Sequence, residues 1–134
     1  PEVLSYHGVV RDFVSGKKEL VLVSDSADKP FYLSKSYRQL QKKFDESKIQ
    51  FCQFNPLLGI IPLEISDLYP AAHYVMADVQ SSPESYTESA KTLEIFLAKN
   101  KFKRIHLEDN EFLNHFKKQM PKSRLKIIKM KKKD

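Results

Sequence analysis

Glu19-Leu20-Val21-Leu22-Val23 is the stretch on which the fold turns. Leucine and β-branched valine follow one another with no polar residue between them, so an extended segment here must be covered on both faces. Such a strand belongs inside a parallel sheet with helices on either side. The flanks agree. Upstream, Leu4, His7, Val10, Phe13 and Val14 recur at helical spacing within Pro1–Ser15, and Gly16 closes that helix. Downstream, a loop rich in Ser, Asp and Pro runs from Ser24 to Leu33. Ser34 then caps a helix on which Tyr37, Leu40 and Phe44 share one face.

The same alternation continues to the end of the chain. Ile49 to Phe54 forms a second strand, ended by Asn55-Pro56. Leu57 to Tyr74 carries Gly59, Pro62 and Pro70 among apolar residues and is irregular, with Ile60 to Ile65 as a short edge strand. Ser82 and Pro83 suit the N-cap and first position of a helix bearing Tyr86, Ala90, Leu93 and Leu97, with Phe96 beside them. Lys103 to Leu107 is a third strand. Asp109 caps a helix with Phe112, Leu113, Phe116 and Met120 inward, Pro121 ends it, and Leu125 to Met130 is the last strand. Strands alternating with helices predict an α/β three-layer sandwich with a mainly parallel sheet. Ligands of such sheets bind beyond the carboxyl ends of the strands. Those ends carry Ser24 to Leu33, Asn55 to Tyr74 and Glu108 to Asn110. The two most irregular of these follow the first two strands, and the site is expected there.

Composition narrows the class. A length of 134 residues suits one α/β domain, 1–134, and neither a repeat nor an internal linker interrupts it. Hydrophobic residues at 41% are enough for a core. The longest apolar stretch, Leu57 to Leu63, is broken by Gly59 and Pro62 and falls far short of the ~20 residues that span a bilayer, so no membrane is expected. No basic-then-apolar leader opens the chain. Pro1 in first place suits a processed start or a segment of a longer protein. Cys52 is the lone cysteine, which excludes an internal disulfide framework and points to a reducing, cytoplasmic location. Net charge is +6, which favours an acidic partner. The excess gathers in a basic tail at about 121–134, where Lys122, Arg124, Lys126 and Lys129 can meet RNA phosphates, or simply be solvated.

Several chemistries are missing. With three glycines the chain holds neither a dinucleotide fingerprint nor a P-loop. His7, His73, His106 and His115 show no metal-ligand spacing, so no metal and no cofactor is expected. Cys52, between Phe51 and Phe54, reads as a buried, inert thiol. Two segments remain. In the first, Asp28 to Ser34, Lys29 stands beside rigid Pro30 at a strand end. It suits phosphate binding or, with its pKa lowered by burial, amine chemistry; a solvated loop lysine is the plainer reading. In the second, Asn55 to Tyr74, Tyr69 and Tyr74 suit stacking on a base while Asn55 and Glu64 read its polar edge. Packing under the sheet accounts for that segment equally well.

Lys29-Pro30-Phe31 followed by Ser34 resembles a KPY-x-x-S signature, and Gly59-Ile60-Ile61-Pro62-Leu63-Glu64 through Tyr69-Pro70 and His73-Tyr74 resembles an IP-x-E … YP … Y segment. Together they resemble the central domain of archaeal archaeosine synthases, which lies between a transglycosylase-like part and an RNA-binding PUA domain. The resemblance implies a fold similar to uracil-DNA glycosylase. It also implies action on tRNA, where the nitrile of a 7-cyano-7-deazaguanine base accepts the amine of lysine and a radical-SAM partner completes the amidine. Together with the reading of the two segments above, it makes Lys29 and Ser34 the catalytic candidates, and Pro30, Phe31, Asn55, Pro62, Glu64 and Tyr69 the substrate contacts. The chain departs from the signature where Ser24-Asp25 replaces Pro-Cys and Tyr37 replaces His. These departures favour a second reading, a non-catalytic RNA-binding or assembly domain. A small hydrolase or glycosylase is the third, against which the absence of a nucleophile motif counts.

Overall fold

The structure, a computed structural model, describes residues 2–25, 30–56, 58–67 and 83–130. Its helices are α1 (Glu2–Asp12), α2 (Lys35–Lys43), α3 (Pro83–Lys99) and α4 (Glu111–Asn114). Its strands are β1 (Glu19–Ser24), β2 (Ile49–Asn55), β3 (Gly59–Pro62), β4 (Arg104–Glu108) and β5 (Leu125–Ile128). The strands form one sheet in the order β3-β2-β1-β4-β5. β1 runs parallel to β2 and β4, and β4 to β5; β3 alone is antiparallel, as a hairpin return from β2.

The doubly apolar run sits at the centre of this sheet. Leu20, Val21, Leu22 and Val23 are all at most 1% exposed, as a strand covered on both faces requires. Leu20 and Leu22 join Cys52, Phe54, Ile105 and Leu107 under α1, α3 and α4, which contribute Val10, Leu93, Phe96 and Leu113, with Phe116 just beyond α4. Val21 and Val23 turn to the other face with Phe51, beneath Phe31, Tyr37 and Leu40 of α2 and the 3-10 turn before it. The fold is thus an α/β three-layer sandwich with a mainly parallel sheet. Among the described residues no helix is long and apolar enough to cross a membrane.

Ser34 caps α2 as its sequence position predicts: its hydroxyl accepts from the Tyr37 N–H at 3.1 Å. Ser34→Ala removes that acceptor from a buried helix end. It should cost about 1 kcal/mol, read as a fall of roughly 4 °C in the thermal midpoint.

Four of the elements differ most from the sequence expectation. The first helix ends at Asp12, short of Gly16. The edge strand spans Gly59–Pro62, and Leu63–Ile65 turn into a 3-10 helix instead of continuing to Ile65. Asn110, not Asp109, caps α4, its side chain accepting from the Leu113 N–H at 3.1 Å. The reason is register: the Asp109 N–H donates to the Ile128 carbonyl at 2.7 Å, so residue 109 still belongs to the sheet ladder. The predicted long helix is only Glu111–Asn114 followed by a 3-10 turn at Lys117–Gln119. The last strand stops at Ile128, two residues short of Met130, and pairs with β4 inside the basic segment. Ser82 lies outside the described residues.

Candidate functional site

From central β1 the chain proceeds to β2 on one side, and it later returns through α3 to β4 on the other. The order of strands therefore reverses around β1, and a crevice is expected beyond its carboxyl end. Three strand ends converge there. β1 ends in Ser24 and Asp25, β2 in Asn55, and β4 in Glu108.

Two side-chain bridges tie these ends together. The Asn55 amide donates to Asp25 Oδ2 at 2.6 Å, and its carbonyl oxygen accepts from the Leu58 N–H at 3.0 Å. The Asp25 N–H donates to the Phe54 carbonyl at 3.0 Å, fixing the carboxylate against β2. On the other side, the N–H and hydroxyl of Ser24 both donate to Glu108 Oε1, at 2.8 and 3.0 Å. Asp25 is 7% exposed and Asn55 fully buried, while Glu108 is half-buried. A carboxylate at such depth requires donors around it. The edge is rich in acceptors: Asp25, Glu108 and Asp109 all stand here. It suits a ligand that presents N–H donors or positive charge, and it repels phosphate.

Next to this edge lies an aromatic cleft of about 440 Å³ between α3 and α4, lined by Thr87, Ala90, Phe112, His115, Phe116 and Gln119. Its floor continues into the edge, because Phe112 and Phe116 pack on Phe54 with ring centroids 5.7 and 4.6 Å away. Phe54 immediately precedes Asn55. Tyr6 of α1 closes the layer by donating its hydroxyl to the Ile60 carbonyl at 3.3 Å. Burial, with Cys52 and Asp25 nearby, raises its pKa well above the usual phenol value, so it stays a neutral donor.

The sequence-predicted residues divide. Lys29 and Tyr69 lie outside the described residues, as do His73 and Tyr74. Asn55 stands in the crevice. Glu64 does not: β3 runs antiparallel to β2, so Glu64 comes back beside Gln50 and accepts from its amide at 2.7 Å. Asn55 and Glu64 thus stand at opposite ends of β2, five residues or ~16 Å apart, and cannot read one base edge together. Ser34 is 1% exposed with its hydroxyl in the helix cap. Phe31 is buried against Tyr37, Pro62 pairs with Cys52 in the sheet, and Pro30 leads the 3-10 turn. Of the four basic residues of the C-terminal segment, Lys122 and Arg124 precede β5, Lys126 lies within it, and Lys129 follows it.

Two side chains that bear on the signature lie in the core. Tyr37, where the signature has His, packs between Phe31 and Phe51; burial, then the Glu46 carboxylate, pushes its hydroxyl up to about 12. Cys52 is fully buried, and desolvation raises its pKa well above the usual thiol value, so it is no nucleophile. Sequence reading passed over Asp25, Glu108 and the cleft residues Phe112 and His115. Asp25 had a signal, since it directly follows the doubly buried strand; the cleft had none, because it depends on how α3 meets α4. Among the described residues no group of three or more His, Cys, Asp or Glu is placed to hold a metal.

Comparison with known proteins adds three findings. The family described as a domain of unknown function, DUF5591, matches residues 4–134. An archaeosine synthase of Haloferax volcanii is 34% identical over 89 residues, which are 64% of this chain and 15% of that protein. The chain therefore spans a small part of that relative's length. The crystal structure of AF0587, a protein of unknown function, superimposes with a TM-score of 0.63 at 16% identity, covering 96% of this chain and 43% of that one. That likeness concerns the fold alone.

Proposed function

Because the chain belongs to the DUF5591 family, we propose that it serves tRNA modification as a domain that receives a 7-cyano-7-deazaguanine base. It acts as one α/β unit, residues 1–134, within a larger protein. The stretch shared with an archaeosine synthase supports the substrate class. The observation that carries the reading is the meeting of a buried carboxylate–amide pair, Asp25 and Asn55, with an aromatic cleft at the reversal point of the sheet. The cleft volume of about 440 Å³ falls in the range of small-ligand sites.

A flipped guanine-type base offers N–H donors on its Watson–Crick edge and a flat face. Carboxylates accept from those donors, and Phe112 supplies a stacking surface worth ~1–3 kcal/mol. Glu108 takes the first role. In this reading Lys29 is the residue that would meet the phosphate of the extruded nucleotide and Tyr69 the residue that would stack on the second face of the base, while Ser34 caps α2.

Amine transfer needs little more. The lysine nitrogen adds to the nitrile carbon, one π bond of the nitrile breaks, and a proton moves from the amine to the former nitrile nitrogen. Nothing leaves and nothing is oxidised. In this reading Asp25 accepts and returns that proton. The second reading, binding without transfer, is favoured by one observation: the two positions that carry Cys and His in the signature hold Asp25 and the buried Tyr37 here, and Cys52 lies in the core. Lysine-adduct formation on nitrile-bearing tRNA, followed by mass spectrometry of the nucleosides, separates the two. Transfer predicts that Asp25→Asn slows adduct formation about 10²-fold with tRNA affinity within about twofold of wild type. A wild-type chain that binds the tRNA and forms no adduct supports binding alone.

A further inference from the structure

The carboxyl edge of the sheet is acidic, and the amino edge is its opposite. Lys48 precedes β2, Lys17 and Lys18 precede β1, Lys103 and Arg104 open β4, and Lys122 and Arg124 precede β5. In the sequence these residues are scattered over more than a hundred positions. The parallel topology brings the starts of these four strands to one edge, in the spatial order β2-β1-β4-β5. Backbone bonds fix the neighbours: the Lys103 N–H donates to the Lys18 carbonyl at 2.7 Å, and the Ile105 N–H to the Arg124 carbonyl at 2.9 Å. The centre of the row is concave, a cleft of about 390 Å³ lined by Lys17, Lys18, Lys48 and Lys103 with Gly16, Glu19 and Ser47.

The acidic groups at this edge are engaged. Glu19 is 2.9 Å from His106 Nε2, Asp45 accepts from the N–H and hydroxyl of Ser47, and Glu46 accepts from the Gln41 amide. Apart from Lys17, all of the row's cations are exposed. Lys17 is tied to the Glu46 and Ser47 carbonyls, and Arg124 reaches the Phe102 carbonyl at 3.5 Å. Four strands at ~4.8 Å spacing set the row at ~15 Å, on the order of five nucleotides of one strand.

We propose that this amino-edge row, Lys48 through Lys18 and Lys103 to Lys122, is a second RNA contact that tracks a phosphodiester backbone without reading bases. It rests on the tRNA reading for the identity of its partner, and it lies on the edge of the sheet away from the base crevice. A point-charge row of this kind sets affinity and salt dependence, not sequence preference.

The test is equilibrium binding of the full chain to unmodified tRNA across a salt series. Lys18, Lys48, Lys103 and Lys122, none of which holds another group through its ammonium in the interactions described above, are changed together to Gln. The expected result is a salt slope lower by about 3 and an affinity at least about tenfold weaker at moderate salt. The control is Lys35→Gln, Arg38→Gln and Lys42→Gln on the exposed face of α2, another basic patch, which should leave the slope within about one unit. Circular dichroism confirms that both variants fold. An unchanged slope in the amino-edge variant overturns the proposal, and so does the full loss appearing in the α2 variant. Binding to anionic vesicles that is lost in the amino-edge variant, without tRNA binding by wild type, overturns it as well. The ratio of affinities for nitrile-bearing and unmodified tRNA tests the crevice independently: a retained preference with an unchanged slope refutes the row alone, and a lost slope without any preference refutes the crevice alone.

Discussion

The Asn55→Asp variant is expected to be folded at pH 4 and to lose about 4 kcal/mol of stability by pH 7. Asn55 is fully buried, and its amide donates to Asp25 Oδ2 at 2.6 Å. The substitution keeps the shape and exchanges that donor for a second carboxylate. Two buried carboxylates at this distance cannot both ionise, so the pair holds one proton in the folded state at pH values where the unfolded chain has released it. The folded-state pKa of the pair is then raised above the unfolded value of ~3.9. The sign follows: the folded state binds more protons, and stability falls as pH rises, at about 1.4 kcal/mol per unit. Such a loss is a large part of the ~5–15 kcal/mol that holds a domain together. Asn55→Ala, which also deprives the Leu58 N–H of its acceptor, should destabilise by about 3 kcal/mol at both pH values. Denaturant titrations at pH 4 and pH 7 distinguish them. Equal losses for the two variants at both pH values would mean that Asp25 does not face a carboxylate at position 55.

Gly59→Ala should cost about 4 kcal/mol, lowering the thermal midpoint by more than 10 °C. Gly59 begins the hairpin return from β2 at φ 80°, the left-handed region. A three-residue hairpin loop commonly places glycine there. A Cβ would also collide with Thr92 Oγ1 and lie 3.0 Å from Thr92 Cβ. Thr92 has little room to yield, since its hydroxyl donates to the Ser89 carbonyl at 2.7 Å and accepts from the Ile60 N–H at 3.3 Å. The coupling is testable with Thr92→Ala: in the Gly59→Ala background it should cost less than it does alone, because it removes the nearest colliding atom. Additive losses would show that backbone strain, not contact with α3, dominates.

What was legible in the sequence was whatever a local pattern determines. Leu20–Val23 required a covered central strand, Ser34 declared its cap, and Asn55 marked the end of β2. What escaped depends on pairing. Asp109 looks as good a cap as Asn110 until β5 is seen to take the N–H of residue 109. Asn55 and Glu64 are nine positions apart and look like one loop, yet the antiparallel return of β3 carries Glu64 back along β2. Lys18, Lys103 and Arg124 carry no shared motif; parallel strand starts bring them to one edge. Tyr37 stood at a signature position, and the face it shares with Leu40 took it into the core.

The most direct measurement is the affinity of the full chain for one tRNA in two forms, with 7-cyano-7-deazaguanine or with guanine at the same position, at one moderate salt concentration. A base held between the Asp25–Asn55 pair and the Phe112 cleft should make the nitrile-bearing form at least about tenfold tighter, or ~1.4 kcal/mol, with the difference lost in Phe112→Ala. Equal affinities for the two forms would contradict base recognition at the carboxyl edge.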